Sequence, residues 1–128
     1  MYLITITIPT SVSSIGNGCF SKCTKLSTIN IPSSVSSIGE SCFYCCSNLS
    51  AITIPSSVSS IGDRCFSSCS NLSTITIPTS VSSIGIGCFY ECSKLQGHIS
   101  IDPNNPTFQT NGTNIYRKDN GREVYVWY

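Results

Sequence analysis

Residues 26–48 read LSTINIPSSVSSIGESCFYCCSN, a unit of 23 residues that segments 49–71 and 72–94 repeat almost letter for letter. Segment 3–25 fits the same frame from Leu3 onward. A fixed period of this length is typical of a solenoid, in which each coil covers the apolar side chains of the next. The repeat therefore predicts the architecture before any helix or strand propensity is considered.

Within one unit, the pattern Leu-x-x-Ile-x-Ile predicts a short strand with one face inward, which Pro32 ends because proline has no N–H for a ladder. A Ser-rich turn follows. Cys42 and Cys46 are four residues apart, so one helical turn would place both on the same face. Eight positions per unit are predicted to be buried: Leu26, Ile29, Ile31, Val35, Ile38, Cys42, Phe43 and Cys46.

These residues resemble the BspA-type leucine-rich repeat, which reads roughly L-x-x-I-x-I-P-x-x-V-x-x-I-G-x-x-A/C-F-x-x-C. Residues 26–46, 49–69 and 72–92 match it, in repeats that make up about three quarters of the chain. The resemblance implies a solenoid with a strand-lined concave face. It also implies a lineage of surface proteins, from bacteria and unicellular parasites, that adhere to host or neighbouring-cell proteins. The chain departs from the family where alanine is common, at Cys19, Cys42, Cys65 and Cys88.

The repeat ends near Leu95, after which short strand-like runs alternate with turns. Asn111-Gly112 and Asp119-Asn120-Gly121 are typical of hairpin turns. We expect Phe108, Ile115, Val124 and Val126 to close the core. The predicted fold is thus a leucine-rich repeat solenoid, a β-rich α/β protein. Its region 1–94 comprises about four coils (3–25, 26–48, 49–71 and 72–94), and 95–128 forms a partial coil and hairpin-like β cap of the same domain.

Composition narrows the classes of function. Only 10% of the 128 residues are charged and the net charge is +1, against about 25% charged residues in an average protein. Such a chain lacks the electrostatic footprint of a protein that binds nucleic acid or anionic lipid. The sequence shows neither a signal peptide nor an apolar run long enough to cross a membrane. We therefore expect a fragment of a longer surface protein or, as the alternative, a short intracellular protein.

Eight of the nine cysteines recur in the repeat frame, and Cys45 is the extra one. The favoured interpretation is two buried columns of reduced thiols, because free cysteine is among the most buried residue types. Disulfides are disfavoured, since helical i,i+4 Cβ atoms lie about 5–6 Å apart and a bridge needs about 3.8 Å. Cys45 is expected to be the most exposed. The two columns are Cys19, Cys42, Cys65 and Cys88, and Cys23, Cys46, Cys69 and Cys92.

No set of residues predicts catalysis, a cofactor or a metal site. His98 is the single histidine and lies outside the repeat frame, so neither a nucleophile–base pair nor a tetrahedral metal site is indicated. The acids are scattered along the chain. Three glycosylation sequons, at Asn48, Asn71 and Asn111, are relevant only if the protein is secreted. The acidic residues are Glu40, Asp63, Glu91, Asp102, Asp119 and Glu123.

The predicted function is protein binding through the strand face, which we define as the outward side chains of the extended segments. The partner would be an extracellular-matrix or cell-surface protein. Alternatives are a hydrated face without a partner, a self-assembling structural repeat, and an ice-binding threonine array, which Ala51 and Asn30 interrupt. The strand-face residues are Thr5, Thr7, Thr28, Asn30, Ala51, Thr53, Thr74 and Thr76.

The first coil lacks a polar cap in the sequence. Its apolar residues would face water on one side, and its outer strand edge would be unpaired. No charged residue occurs in 1–21 to keep another edge away. We therefore expect either a further N-terminal coil or a two-fold homodimer formed through this end. The residues concerned are Leu3, Ile6, Ile8, Val12, Ile15 and Phe20.

Overall fold

Each coil begins with an extended segment that stacks on the equivalent segment of its neighbour. In the computed structural model, which describes residues 3–128, the strands are β1 (Ile4–Thr7), β2 (Ser14–Ile15), β3 (Leu26–Asn30), β4 (Ser37–Ile38), β5 (Ser60–Ile61), β6 (Ile75–Ile77), β7 (Ser83–Ile84), β8 (Ile99–Ile101), β9 (Phe108–Thr110), β10 (Ile115–Arg117) and β11 (Glu123–Val124). The 23-residue stacking confirms the predicted solenoid. The predicted repeat region, 1–94, begins with two residues that lie outside the described part.

Two ladders of parallel strands run through the coils. On the strand face, β1 pairs with β3 and β6 pairs with β8, whereas the third coil has no strand there. A second, four-stranded ladder, β2-β4-β5-β7, joins the Ser-Ile pairs of all four coils in register. The sequence predicted only a Ser-rich turn at these positions. Two residues are too few to show an alternating pattern, so only the stacking reveals the second ladder.

The cysteine-bearing segment is a series of turns, and the predicted helical turn is wrong. The backbone is left-handed at the same frame position of every coil, with φ of 60° at Lys22, 57° at Cys45, 61° at Ser68 and 60° at Glu91. A left-handed residue ends a right-handed helix. Cys42 and Cys46 are therefore not on one helix. The helix assigned among residues 3–128 is a single 3-10 turn, Ser93–Leu95.

These turns are joined from coil to coil by a third set of main-chain hydrogen bonds, which we call the turn ladder. Gly18 N–H donates to Glu40 C=O at 2.8 Å, and Phe20 N–H donates to Cys42 C=O at 2.9 Å. Lys22 N–H donates to the Tyr44 C=O at 2.6 Å. The same bonds recur between the later coils. Each coil therefore points its turn-ladder carbonyls towards the N-terminal end and its N–H groups towards the C-terminal end.

The C-terminal cap closes the last coil. Antiparallel strands β9, β10 and β11 form it, and the Tyr125 and Val126 carbonyls accept hydrogen bonds from the turn ladder of the fourth coil. Phe108, Ile115 and Val126 are buried as predicted, but Val124 is half-buried. They share one hydrophobic cluster with the coils. The division into 1–94 and 95–128 stays a prediction.

Asn105 fastens the cap to the fourth coil, which the sequence did not indicate. Its side chain is fully buried. The amide Nδ2 donates to the carbonyls of Pro78 and Val81 at 2.9 and 3.0 Å, and Oδ1 accepts from the N–H groups of Thr107 and Phe108. All the polar atoms of the amide are thus bonded, which offsets the cost of burying it. In the sequence this residue looks like any loop asparagine.

The phenylalanines form a continuous column inside the solenoid. Ring centroids of Phe20, Phe43, Phe66 and Phe89 are 5.6, 5.4 and 6.0 Å apart in succession, with interplanar angles of 12°, 3° and 20°. Trp127 of the cap ends the column 6.4 Å from Phe89. The three inner rings are fully buried, whereas Phe20 is half-buried. Most predicted core positions are buried; Ile31, beside the interruption of the strand-face ladder, is half-buried.

The framed cysteines are core residues in three of the four coils. Cys42, Cys46, Cys65, Cys69, Cys88 and Cys92 are fully buried. The prediction is wrong for the first coil, where Cys19 is exposed and Cys23 is half-buried, because no described coil precedes it. Cys45 is half-buried, so Cys19 and not Cys45 is the most accessible. All nine cysteines are free.

One cysteine column also donates hydrogen bonds. The thiols of Cys46, Cys69 and Cys92 lie 3.1, 3.1 and 2.9 Å from the carbonyl oxygens of Phe20, Phe43 and Phe66 in the preceding coils. A thiol is a weak donor, but it is small and apolar enough to be buried without a large penalty. Cysteine thus fills the core and bonds a buried carbonyl that alanine would leave with one partner fewer.

Burial keeps these thiols protonated. It raises the pKa of the Cys42 and Cys92 thiols to about 12 and that of the Cys46 thiol to about 11. Burial also raises the pKa of the thiols of Cys65, Cys69 and Cys88, where the neighbouring thiols of the columns add to the effect. Because the thiolate is the reactive form, the buried cysteines are chemically inert in the folded protein.

The Phe column predicts a position-dependent loss of stability. Phe66→Ala should lower the free energy of unfolding by about 3–5 kcal/mol, as expected for a fully buried ring. Phe20→Ala should cost less, because this ring is half-buried and has one stacked neighbour. Urea unfolding of both variants measures the difference. Equal losses would contradict a linear stack in which each coil is stabilised by its neighbours.

The burial of the cysteines predicts which thiols react. At pH 8 without reductant, a maleimide reagent should modify Cys19 fastest and the half-buried Cys23 and Cys45 more slowly. The six buried thiols should react only after denaturation, when all nine become available. Mass spectrometry of the modified peptides identifies the sites. Finding a single reactive thiol in denaturant would instead indicate four disulfides.

The raised thiol pKa values predict alkaline destabilisation. The unfolded chain loses its thiol protons near the ordinary pKa of 9.0, but the folded chain keeps those of Cys42, Cys46 and Cys92 up to about 12, 11 and 12. The contribution of these thiols to the free energy of unfolding should therefore be fully present below pH 9 and be lost between about pH 9 and 12. Urea titrations in reductant measure it. Cys69→Ala should show a shallower fall, and an identical slope in both proteins would rule out the thiols as the cause.

Candidate binding face

The strand face is built by alternation along the extended segments. Leu26 and Ile29 point into the core, so Thr28 and Asn30 point outward. Stacking then aligns equivalent residues, with Thr5 opposite Thr28 and Thr7 opposite Asn30. The structure exposes every residue predicted for this face, namely Thr5, Thr7, Thr28, Asn30, Ala51, Thr53, Thr74 and Thr76. Their role in binding a partner stays a prediction.

Two threonine hydroxyls of the strand face bond to each other across β1 and β3. Thr5 Oγ1 and Thr28 Oγ1 are 2.8 Å apart, and Ser27 Oγ donates to the Ile4 carbonyl at 3.1 Å. In the third coil Ala51 occupies the position of Thr28 and supplies no hydroxyl. The row of hydroxyls is interrupted in the same coil that lacks a strand.

The main chain of the third coil is open on this face. Residues 51–54 belong to no strand, and among residues 3–128 none of their N–H or C=O groups makes a main-chain hydrogen bond. The nearest links are long, 3.4 Å from Ser50 N–H to the Ser27 carbonyl and 3.2 Å from Ser73 N–H to the Ser50 carbonyl. The Ile52 and Ile54 side chains remain buried. The coil keeps its core contacts, while the N–H and C=O groups of residues 51–54 have no main-chain partner among the described residues.

A cleft of about 400 Å³ lies beside this open segment, between the third and fourth coils. Threonine side chains and isoleucine edges form its walls, and Asp102 contributes the acidic group. Asp102 reaches the cleft because its N–H bonds to the Ile77 carbonyl at 2.9 Å. Sequence reasoning counted Asp102 only among scattered acids, since its nearness to the strand face arises from stacking. The lining residues are Ala51, Ile52, Thr53, Ile54, Thr74, Ile75, Thr76, Pro78 and Asp102.

Among the other residues singled out in the sequence, Asp63 and Glu40 take part in contacts between successive coils. Asp63 Oδ1 accepts from Ile86 N–H at 3.0 Å, and Asn17 Oδ1 accepts from Glu40 N–H at 2.9 Å, so both join successive coils. His98 is exposed. In the described part of the chain, no group of three His, Cys, Asp or Glu side chains is placed to hold a metal ion.

The sequon asparagines also contact the scaffold. Asn48 and Asn71 donate through Nδ2 to the carbonyls of Thr24 and Ser47 in the preceding coils, at 2.5 and 2.8 Å. Asn111 Oδ1 accepts from the N–H groups of Thr113 and Asn114. Glycosylation at any of them stays a prediction, and at Asn48 or Asn71 it would replace a bond between coils.

Comparison with known proteins gives the family. The model of the BspA type leucine rich repeat region, in six copies, matches residues 2–116. No curated protein matches. None of the helices within residues 3–128 is long and apolar enough to cross a membrane.

Solved structures of bacterial leucine-rich repeat proteins have the same fold. One from Bacteroides ovatus is 41% identical with a TM-score of 0.70, over 75% of this chain and 24% of that one. One from T. pallidum is 38% identical with a TM-score of 0.71, over 73% and 44%. The pneumococcal vaccine antigen PcpA shares the fold at 23% identity, with a TM-score of 0.70 over 97% and 36%. This chain thus spans less than half the length of each.

The family's proteins are surface-associated repeat scaffolds that generally bind proteins and are not, in general, enzymes. The 23-residue coils, the stacked cysteine and phenylalanine columns and the family match over most of the chain lead to one conclusion. The chain belongs to the BspA-type leucine-rich repeat family.

Proposed function

We propose that the protein is a non-catalytic binding module that holds an extracellular-matrix or cell-surface protein against its strand face. The observation that carries the proposal is the open main chain of residues 51–54 beside the cleft. A partner segment lying in the cleft can bond these N–H and C=O groups, and its side chains can contact the threonines on either side. Bonding to unpaired main-chain groups is a recurrent mode of peptide recognition.

The charge of the face defines the kind of contact. Its outward residues are uncharged from Thr5 to Thr76, and Asp102 lies at one edge. Association should therefore depend on hydrogen bonds and buried area and little on charge attraction. Salt should change the affinity only slightly, because screening acts on exposed charges. This distinguishes the proposed contact from adhesion through a basic patch.

Localisation at the cell surface is part of the proposal. It is supported by the surface association of the family and by the likeness of the fold to a vaccine antigen. A surface rich in serine and threonine and poor in charge suits contact with many kinds of protein. The identity of the partner is to be found by experiment.

The proposal is tested by measuring how the original chain and two variants, Thr53→Lys and Thr10→Lys, bind to purified extracellular-matrix proteins that are immobilised one at a time. Thr53→Lys places a long charged side chain in the cleft and should weaken binding by about tenfold, which is about 1.4 kcal/mol. Thr10→Lys is the matched control, because Thr10 is exposed outside the strand face. Surface plasmon resonance at two salt concentrations measures affinity and its salt dependence. Equal binding by the original chain and both variants would refute the strand face as the contact surface. Binding that is lost as the salt concentration rises would refute it as well.

A further inference from the structure

The N-terminal face of the first coil carries an apolar groove. Its volume is about 250 Å³. The equivalent surfaces of the later coils are covered, as the full burial of Cys42 and Phe43 shows, whereas Cys19 is exposed and Phe20 is half-buried. The groove is lined chiefly by Ile6, Ile8, Val12, Ile15, Cys19 and Phe20.

A glycine on this face indicates what fits the groove. In the second, third and fourth coils, a Cβ added at Gly39, Gly62 or Gly85 would lie 2.5, 2.5 and 2.2 Å from an atom of the preceding coil. Glycine is therefore required there by the close approach of two coils. Gly16 occupies the same frame position, yet a Cβ at Gly16 would meet nothing within 4 Å and its φ is not left-handed. Nothing within residues 3–128 requires glycine here, but a coil stacked on this face would.

The turn ladder shows in which direction a coil on this face would have to run. The carbonyls of Asn17, Cys19 and Ser21 make no main-chain hydrogen bond within residues 3–128. Their equivalents in the second coil, Glu40, Cys42 and Tyr44, accept bonds from the first. The free edge of the turn ladder is thus a row of acceptors that needs a row of N–H donors. The N-terminal coil of a second copy, meeting this one head to head, would run in the opposite direction and could not repeat the in-register bonds that join the parallel coils.

At another edge of the same N-terminal face, the first coil has N–H groups without a main-chain acceptor. In the second coil the N–H groups of Ser36 and Gly39 donate to Ser13 and Ile15 of the first, both at 2.8 Å. The equivalent N–H groups in the first coil, those of Ser13 and Gly16, make no main-chain bond among the described residues. The N-terminal face thus has free acceptors at one edge and free donors at another. The C-terminal face of a coil that runs in the same direction offers the matching donors and acceptors. In a second copy, that side of the last coil is covered by the cap carbonyls of Tyr125 and Val126.

We propose that the N-terminal face is a docking surface for one further coil of the same 23-residue frame, stacked in parallel and in register. The coil would fill the apolar groove, donate three main-chain N–H groups to the turn-ladder carbonyls, and bring its backbone against Gly16. A homodimer through this end, the alternative expected from the sequence, would fill the groove but would not reproduce the in-register main-chain bonds that join the coils.

A fusion protein tests the proposal on the whole chain. A copy of unit 49–71 is joined directly ahead of Leu3, and the rate of maleimide modification of Cys19 is compared with that in the original chain. The rate should fall by about tenfold or more as Cys19 becomes covered, as Cys42 is. A control fusion carries aspartate at the two copied positions that correspond to Ile54 and Val58, so that its coil cannot fold onto the groove. It should leave the rate unchanged.

Gly16→Ala tests the register. In the original chain it should leave the melting temperature unchanged or slightly higher, since the added Cβ has open space. In the fusion it should lower the melting temperature and restore the reactivity of Cys19. Gly62→Ala should lower the melting temperature in both proteins, which shows that the assay detects a clash between coils.

Three results would overturn the proposal. The first is a Cys19 rate that the fusion does not change, and the second is a Gly16→Ala variant that is neutral in the fusion. The third is sedimentation of the original chain as a dimer at tens of micromolar with Cys19 protected, which would show that a second copy occupies the groove head to head. A monomer with reactive Cys19, together with protection in the fusion, supports a parallel coil.

Discussion

The stacking of each coil on an identical coil 23 residues away is the constraint on which the rest of the structure depends. Main-chain bonds join neighbouring coils on several sides, and side chains of the same frame position lie over one another inside. A single coil has too little interior to bury its own apolar residues, so neighbours supply the burial. This is why Phe43 is fully buried and Phe20, in the same position one coil earlier, is not.

Close stacking also explains the residue types that recur. Glycine at positions 39, 62 and 85 leaves room for the backbone of the preceding coil. Cysteine at positions 46, 69 and 92 is small enough for the interior and donates to a phenylalanine carbonyl. Serine and asparagine side chains reach across to carbonyls of the adjacent coil, as Ser57 does to Val35 at 2.6 Å. Several carbonyls at the coil edges thereby gain a hydrogen bond without a charged residue.

The strand face is the place where this regularity is relaxed. The third coil keeps Ile52 and Ile54 in the core but makes no strand, and Ala51 removes a hydroxyl from the row. Core packing and the two other ladders hold the coil in place, so the main chain can stay open without loss of the fold. An open segment in the middle of a regular scaffold combines a rigid support with unpaired donors and acceptors, which is what a binding surface requires.

The sequence by itself determined the solenoid, its 23-residue period and the inward and outward sides of the strands, because apolar residues that recur every 23 residues are buried when equivalent coils stack. It also indicated the threonines of the strand face, since alternation decides which side chains point out. The second ladder, the left-handed turns in place of a helix, and the clamp made by Asn105 were decided by the tertiary structure. So were the cleft with Asp102 and the exposure of Cys19. Each depends on which coil lies next to a residue, and that neighbour is some 23 residues away in the chain.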